Sequence, residues 1–307
     1  MNEKSWIEES EKGIIHGVRW CPDDGEVKGV IQIAHGVTEY ILRYRDFAEY
    51  FTSRGYVVCG NDHKGHGTSL STNGTPMYLG DKGAWFDCVE DIYNLYRTTK
   101  IEYPNVPYIV LGFSMGSFMV RTALIVHPEM ADAAILMGTG QQDVISIAVA
   151  KFVANMEAKK HGYDQTTKLI DELTFGTYNK KFMPNKTKFD WLCANEAAVE
   201  EYLKNPYRGD SMTVGLFAEM LSGMAFTAKV RNIKAMRKYL PVLFISGQDD
   251  PVGNCGEGVM KAVHAFEKAG MKRVDNKFYP GCRHDLLHET VYQDVYEDIL
   301  NWIESVT

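Results

Sequence analysis

The 307-residue chain has no apolar run near the roughly 20 residues that a membrane-spanning helix needs. It is also short of basic charge. Lys and Arg total 33 against 40 Asp and Glu, giving a formal net charge of −7 and a pI near 5.7. Binding to nucleic acid depends on clustered cationic side chains, so this balance argues against a nucleic-acid partner. The pairs Lys159-Lys160 and Lys180-Lys181 are short and read as solvated surface. Six cysteines (Cys21, Cys59, Cys88, Cys193, Cys255, Cys282) never fall in C-x-x-C spacing, which disfavours a zinc site or a thioredoxin-type pair. They read as reduced thiols. No Lys/Arg-led apolar stretch opens the chain, since residues 1–6 are polar, and a cytoplasmic protein is expected. Internal repeats, low-complexity tracts and flexible linkers are missing too, and nothing sets the oligomeric state.

What remains is an ordinary globular composition, 45% hydrophobic and 24% charged, long enough to bury a large core. Apolar periodicity switches repeatedly along the first half. Residues 13–20, 29–34, 56–59, 108–111 and 133–137 read as strands, with a helix at 44–53 and another at about 86–100. The second helix places Val89, Ile92, Leu95 and Tyr96 at i, i+3 and i+4 intervals. Near-continuous apolar strands alternating with helices predict an α/β fold, a mostly parallel central sheet with helices on both faces. The alternation breaks after Gly138. Residues 139–238 have helical spacing only, with one apolar stripe of Ile145, Val149, Phe152, Val153 and Met156. A broader stripe follows at Leu216, Phe217, Met220, Leu221, Met224 and Phe226. Alternation resumes at 240–247 and continues through a helix near 258–268, a strand near 277–279 and a last helix at about 289–304. The expected organisation is a core domain of residues 1–138 and 239–307, with residues 139–238 inserted as a helical cap over the strand ends.

Chemistry concentrates at Gly112-Phe113-Ser114-Met115-Gly116, between a strand and a helix. This is the arrangement of a nucleophile elbow, in which a sharp turn exposes a serine hydroxyl above the sheet. Serine is a poor nucleophile at neutral pH and needs a base in reach, with a third group to orient that base. In open parallel sheets such groups project from the carboxyl ends of strands. The strand ending at Gly247 leads into Gln248-Asp249-Asp250-Pro251-Val252, and the one ending at Tyr279 leads into Pro280-Gly281-Cys282-Arg283-His284-Asp285. The chain order Ser114, Asp250, His284 is that of an α/β-hydrolase. Asp250 is preferred as the acid and Asp249 stays as the alternative; His284 ranks above His264 and His288. The oxyanion formed on attack needs donors, for which the backbone N–H groups of Met115 and Val37 are the candidates. Cys282 reads as packing beside the site.

Several separate stretches resemble the monoacylglycerol lipase and lysophospholipase-like serine hydrolases of the α/β-hydrolase fold. His35-Gly36-Val37-Thr38-Glu39 with Arg43-Tyr44 looks like that family's H-G-x-x-E-x-x-x-R-Y segment, and residues 62–69, Asp-His-Lys-Gly-His-Gly-Thr-Ser, look like its D-H-x-G-H-G-x-S loop. The elbow, the G-x-x-D acid loop and the histidine stretch from Tyr279 to Glu289 complete the match. The family usually has histidine before the nucleophile and glycine after the elbow, where this chain has Phe113 and Ser117. The resemblance implies a structural role for His63 and His66, no metal and no cofactor. It also implies a small-molecule acyl ester substrate such as a monoglyceride or lysophospholipid, hydrolysed through an acyl-enzyme. The Met and Phe stripe at 216–226 is expected to be cap core and could also line an acyl pocket. The cap is the expected place for any transient membrane-surface contact. Rival readings are a peptidase or amidase on the same triad, a non-catalytic binding protein of the same fold, and a perhydrolase-like activity.

Overall fold

The computed structural model describes residues 1–307. Eight strands form one sheet: β1 (Asn2–Ser10), β2 (Gly13–Cys21), β3 (Gly29–Ala34), β4 (Tyr56–Asn61), β5 (Tyr108–Phe113), β6 (Ala133–Met137), β7 (Val242–Gly247) and β8 (Val274–Tyr279). Their spatial order is β1-β2-β4-β3-β5-β6-β7-β8, antiparallel at β1–β2 and β2–β4 and parallel elsewhere. The helices are α1 (Arg45–Thr52), α2 (Ala84–Glu102), α3 (Met115–Val126), α4 (Val144–His161), α5 (Lys168–Thr174), α6 (Glu196–Lys204), α7 (Val214–Thr227), α8 (Val230–Ile233), α9 (Glu257–Lys268) and α10 (Tyr292–Val306).

Strands β3 to β7 are buried along their whole length because both faces are covered. Side chains alternate across the pleat, so Val30 and Ala34 enter one core while Ile31 and Ile33 enter the other. Phe47 and Phe51 of α1 and Ile299 and Ile303 of α10 fill the second core. Trp85 of α2, Leu124 of α3 and Phe266 of α9 fill the first. Each such burial contributes about 1.5–3 kcal/mol.

Strand β1 departs from the sequence reading, which found no element in the polar opening residues. It pairs with β2 in full register from Asn2–Cys21 to Ser10–Gly13, yet almost every residue is exposed. With neither face buried it carries no apolar alternation. Its backbone pairing with β2 is what makes it a strand.

No strand lies between β6 and β7; the chain there forms α4 to α8 and short 3-10 turns that include Asp190–Leu192. Helix α7 is tied firmly to the core. The buried Glu219 carboxylate accepts the Gly83 and Trp85 N–H groups at 3.1 and 2.9 Å, satisfying donors at the start of α2. A Cβ at Gly223 would lie 2.0 Å from the Trp85 indole, so α7 can approach this closely only with glycine there. Helix α4 starts on an Asp143 cap, which accepts the Ser146 N–H at 2.8 Å. It turns Ile147, Ala154 and Ala158 inward and leaves Ile145, Val149, Phe152 and Met156 exposed.

Candidate active site

The elbow is a backbone device. Ser114 closes β5 and opens α3 at φ 51°, ψ −118°, a conformation that side chains rarely adopt. A Cβ at Gly116 would lie 2.0 Å from the Ala34 carbonyl oxygen, and one at Gly112 would lie 2.6 Å from that of Gly116. Both glycines are therefore required by close approach. Ser117, which stands where the family usually has glycine, donates its hydroxyl to the Ser114 carbonyl at 2.6 Å and braces the turn.

Ser114, His284 and Asp250 come together from three strand ends, and all are buried. The Ser114 Oγ is 2.8 Å from His284 Nε2, and His284 Nδ1 is 2.9 Å from Asp250 Oδ2. Asp250 Oδ1 also accepts the Val252 N–H at 2.8 Å. Asp249 points away and pairs with Lys181 at 2.7 Å, so Asp250 is the carboxylate that faces the imidazole. Lys181, expected to be solvated surface, is exposed, and there it bridges the helical segment to the loop after β7. The His284 ring lies between Phe113 and Trp191, with ring centroids 4.8 and 5.2 Å away. The sequence singled out neither aromatic for this contact. Trp191 comes from the segment between β6 and β7.

Val37 and Met115 line the same cavity as Ser114. The Val37 turn is held from several sides. Glu39 Oε1 accepts the Gly36 N–H at 2.5 Å and the Tyr44 hydroxyl at 2.7 Å. The Tyr202 hydroxyl donates to Thr38. Beneath it, His35 Nε2 accepts the His63 N–H at 3.0 Å, so its Nδ1 carries the proton and donates to the Gly36 carbonyl at 2.7 Å. His63 Nε2 donates to the His35 carbonyl, and Asp62 accepts the Ile41 and Thr68 N–H groups. Burial pushes His63 down to about 3 and His66 to about 4, and it holds His35 well below the usual histidine range. These imidazoles are neutral supports for the loop that carries Val37.

A buried charge network joins that loop to the histidine loop. Arg43 pairs with both Glu39 and Asp285, although the chain separates Arg43 and Asp285 by 242 positions. Burial works against the ionised Asp285, but His288 and Arg43 outweigh it and hold the carboxyl below the usual range. Burial raises Glu39, with Arg43 opposing. Glu289 Oε1 accepts the Arg283 N–H at 2.7 Å and the Ala194 N–H at 2.9 Å, which fixes the backbone beside His284.

Two cavities meet at Ser114. The larger, about 240 Å³, has no charged side chain in its lining; Phe118, Ile147, Phe217, Met220 and Met224 make much of its wall. The stripe on α7 therefore does line the space beside the serine. The smaller recess sets Arg43, Glu39, Tyr202 and Asp285 beside Phe113, Trp191 and Leu192. No three His, Cys, Asp or Glu side chains are grouped so as to hold a metal ion. No helix is long and apolar enough to cross a membrane.

The family described as serine aminopeptidase, S33, matches residues 25–291. A monoglyceride lipase homolog of monkeypox virus is 28% identical over 279 residues, covering 90% of this chain and 89% of the relative. A monoacylglycerol lipase of Mycolicibacterium smegmatis is 26% identical, covering 93% and 91%. The solved structure of a thermostable carboxyl esterase from Bacillus coagulans superposes with a TM-score of 0.91 over 100% of this chain and 99% of that one, at 24% identity, and so shares the fold. The chain belongs to the serine aminopeptidase S33 family and is a monoacylglycerol lipase-like α/β-hydrolase of the carboxylic-ester hydrolase class.

Proposed function

We propose that Ser114, His284 and Asp250 form a catalytic triad and that the substrate is the ester of a single acyl chain, a monoacylglycerol or lysophospholipid. The hydrogen-bonded chain from the Ser114 Oγ through His284 to Asp250, opening on an apolar cavity, carries this reading. The Ser114 Oγ attacks the ester carbonyl as His284 Nε2 takes its proton, and Asp250 steadies the imidazolium. The Val37 and Met115 N–H groups receive the oxyanion. His284 then protonates the leaving alkoxide. A water, deprotonated by the same imidazole, hydrolyses the acyl-enzyme and frees Ser114 with the fatty acid. The apolar cavity takes the acyl chain, and the smaller recess, which holds Arg43, Glu39 and Asp285, faces the alcohol. No step calls for a metal or an organic cofactor.

In this proposal the segment of residues 139–238 is a cap that supplies most of the acyl wall. Its α4 helix turns Ile147 and Ala150 to the cavity and carries Ile145, Val149, Phe152 and Met156 on its outer side. That outer stripe, on the helix that also walls the acyl site, would rest on the lipid surface that holds the substrate.

The description of the family as aminopeptidases favours a second reading, cleavage of an amide. An aminopeptidase must offset the substrate's terminal ammonium, and no carboxylate lines the larger cavity. Glu39 and Asp285 in the recess are already paired with Arg43, which supports the ester. Ser114→Ala should lower hydrolysis of monoacylglycerols and nitrophenyl esters by at least about a thousandfold. Undiminished turnover would refute the triad, and faster release from aminoacyl amides than from esters by the unaltered enzyme would favour the amide reading.

A further inference from the structure

Arg121 carries a charge that no carboxylate answers. It lies two turns along α3 from Ser114, with its side chain buried. Burial pulls the guanidinium down from its ordinary value, yet arginine stays charged at neutral pH. Its partners are all neutral. Nη1 donates to the Gly140 carbonyl at 2.9 Å and reaches Thr139 Oγ1 at 3.5 Å. Nη2 donates to Gln141 Oε1 at 3.0 Å and to the Thr227 carbonyl at 3.4 Å. The guanidinium also lies within 5.3 Å of the Phe118 ring and 5.6 Å of Phe266.

Those acceptors share a position in the chain. Residues 139–141 are where the backbone leaves β6 and enters α4, and Thr227 is the last residue of α7. The α7 carbonyl end carries the negative pole of that helix, so carbonyl dipoles take the place of a carboxylate. Helices α4 and α7 form much of the apolar wall, through Ile147, Ala150, Met220 and Met224. Gly140 in turn packs on the loop that carries Asp250, since a Cβ there would lie 3.1 Å from the Val252 carbonyl oxygen. One side chain on the nucleophile's own helix therefore holds both ends of the pocket-forming pair.

We propose that Arg121 is a positioning residue for acyl-chain selection. It pins the roots of α4 and α7 to α3 and so sets the distance between the acyl wall and Ser114, without touching the reacting atoms. The inference rests on the ester-hydrolase reading above. A short acyl group ends before it reaches that wall, whereas a long one needs it in place. Loss of the tie thus discriminates between substrates by chain length.

The test compares Arg121→Met, Arg121→Lys and Gln141→Ala with the unaltered enzyme on nitrophenyl acetate and nitrophenyl decanoate, and follows amide hydrogen exchange across residues 139–150 and 220–233. Arg121→Met should raise KM for the decanoate about tenfold, leaving kcat and the acetate kcat/KM within about twofold. Exchange should quicken at both roots together. Arg121→Lys, which keeps the charge on a single donor head, should fall in between. Gln141→Ala removes an acceptor at low risk to folding and should move the decanoate KM in the same direction by less. Equal losses on both esters, loosening of one root alone, or no change in either measurement would overturn the proposal. An unaltered enzyme that turned over neither ester would overturn the functional reading, while exchange would still decide whether Arg121 makes the tie.

Discussion

Helices α4 and α7 carry apolar stripes of much the same make, and the fold uses them in opposite ways. On α7, Leu216, Phe217 and Leu221 are buried, and Met220 and Met224 border the cavity beside Ser114. On α4, Ile145 is 77% exposed and Phe152 is 65% exposed, while the smaller Ala154 and Ala158 turn inward. The anchors differ as well. Helix α7 is pinned by buried Glu219 and by the Gly223 contact with Trp85, whereas α4 begins on an exposed Asp143 cap. Spacing tells that a helix has an apolar face; it does not tell what covers that face. Small residues let α4 sit close to its neighbour, and the bulky ones face outward.

The largest expected effect sharpens the contrast from beneath, because neither helix contains a buried histidine. His35, His63 and His66 are held neutral by burial, with folded values below the ordinary 6.5. The unfolded chain therefore takes up protons first as pH falls. Stability should drop from about pH 6.5 towards pH 4, by about 1.4 kcal/mol per pH unit for each histidine. Urea midpoints measured across that range check this, and a flat profile would contradict it. Next in size, Phe217→Ala on α7 should destabilise the protein by about 3 kcal/mol, and Phe152→Ala on α4 by no more than about 0.5 kcal/mol. Similar losses in denaturant titrations would break the comparison. The smallest change concerns the outer stripe. Phe152→Ser should leave turnover of a soluble acetate ester unaltered and weaken sedimentation with phosphatidylcholine vesicles about tenfold. Unchanged sedimentation would leave the stripe without a lipid role.

How far the sequence could be read followed from where each signal lies. The elbow was legible because strand, glycine-flanked serine and helix are neighbours in the chain, and strand ends pointed to the Asp250 and His284 loops. The central strands were legible from their unbroken apolar runs, with ends that moved by a few residues. Strand β1 was not, since both its faces meet solvent and its polar residues show no alternation. Contacts across long separations were equally hidden. Lys181 reads as surface, and is, but gives no sign that Asp249 stands beside it, and Trp191 gives no sign that it will face His284. Arg121 looks misplaced in an apolar helix, because its acceptors lie in the helical stretch between β6 and β7, up to about a hundred residues further along the chain.

The turn at Ser114 also limits which side chains sit easily at that corner. At φ 51° a second substituent on Cβ would crowd the backbone. Threonine, though it offers the same hydroxyl, would add strain there, of the kind Thr38 bears at φ 62°, while unbranched cysteine, which the chain already holds at φ 52° in Cys255, would add less. At this corner the backbone thus tolerates a thiol more readily than a branched alcohol.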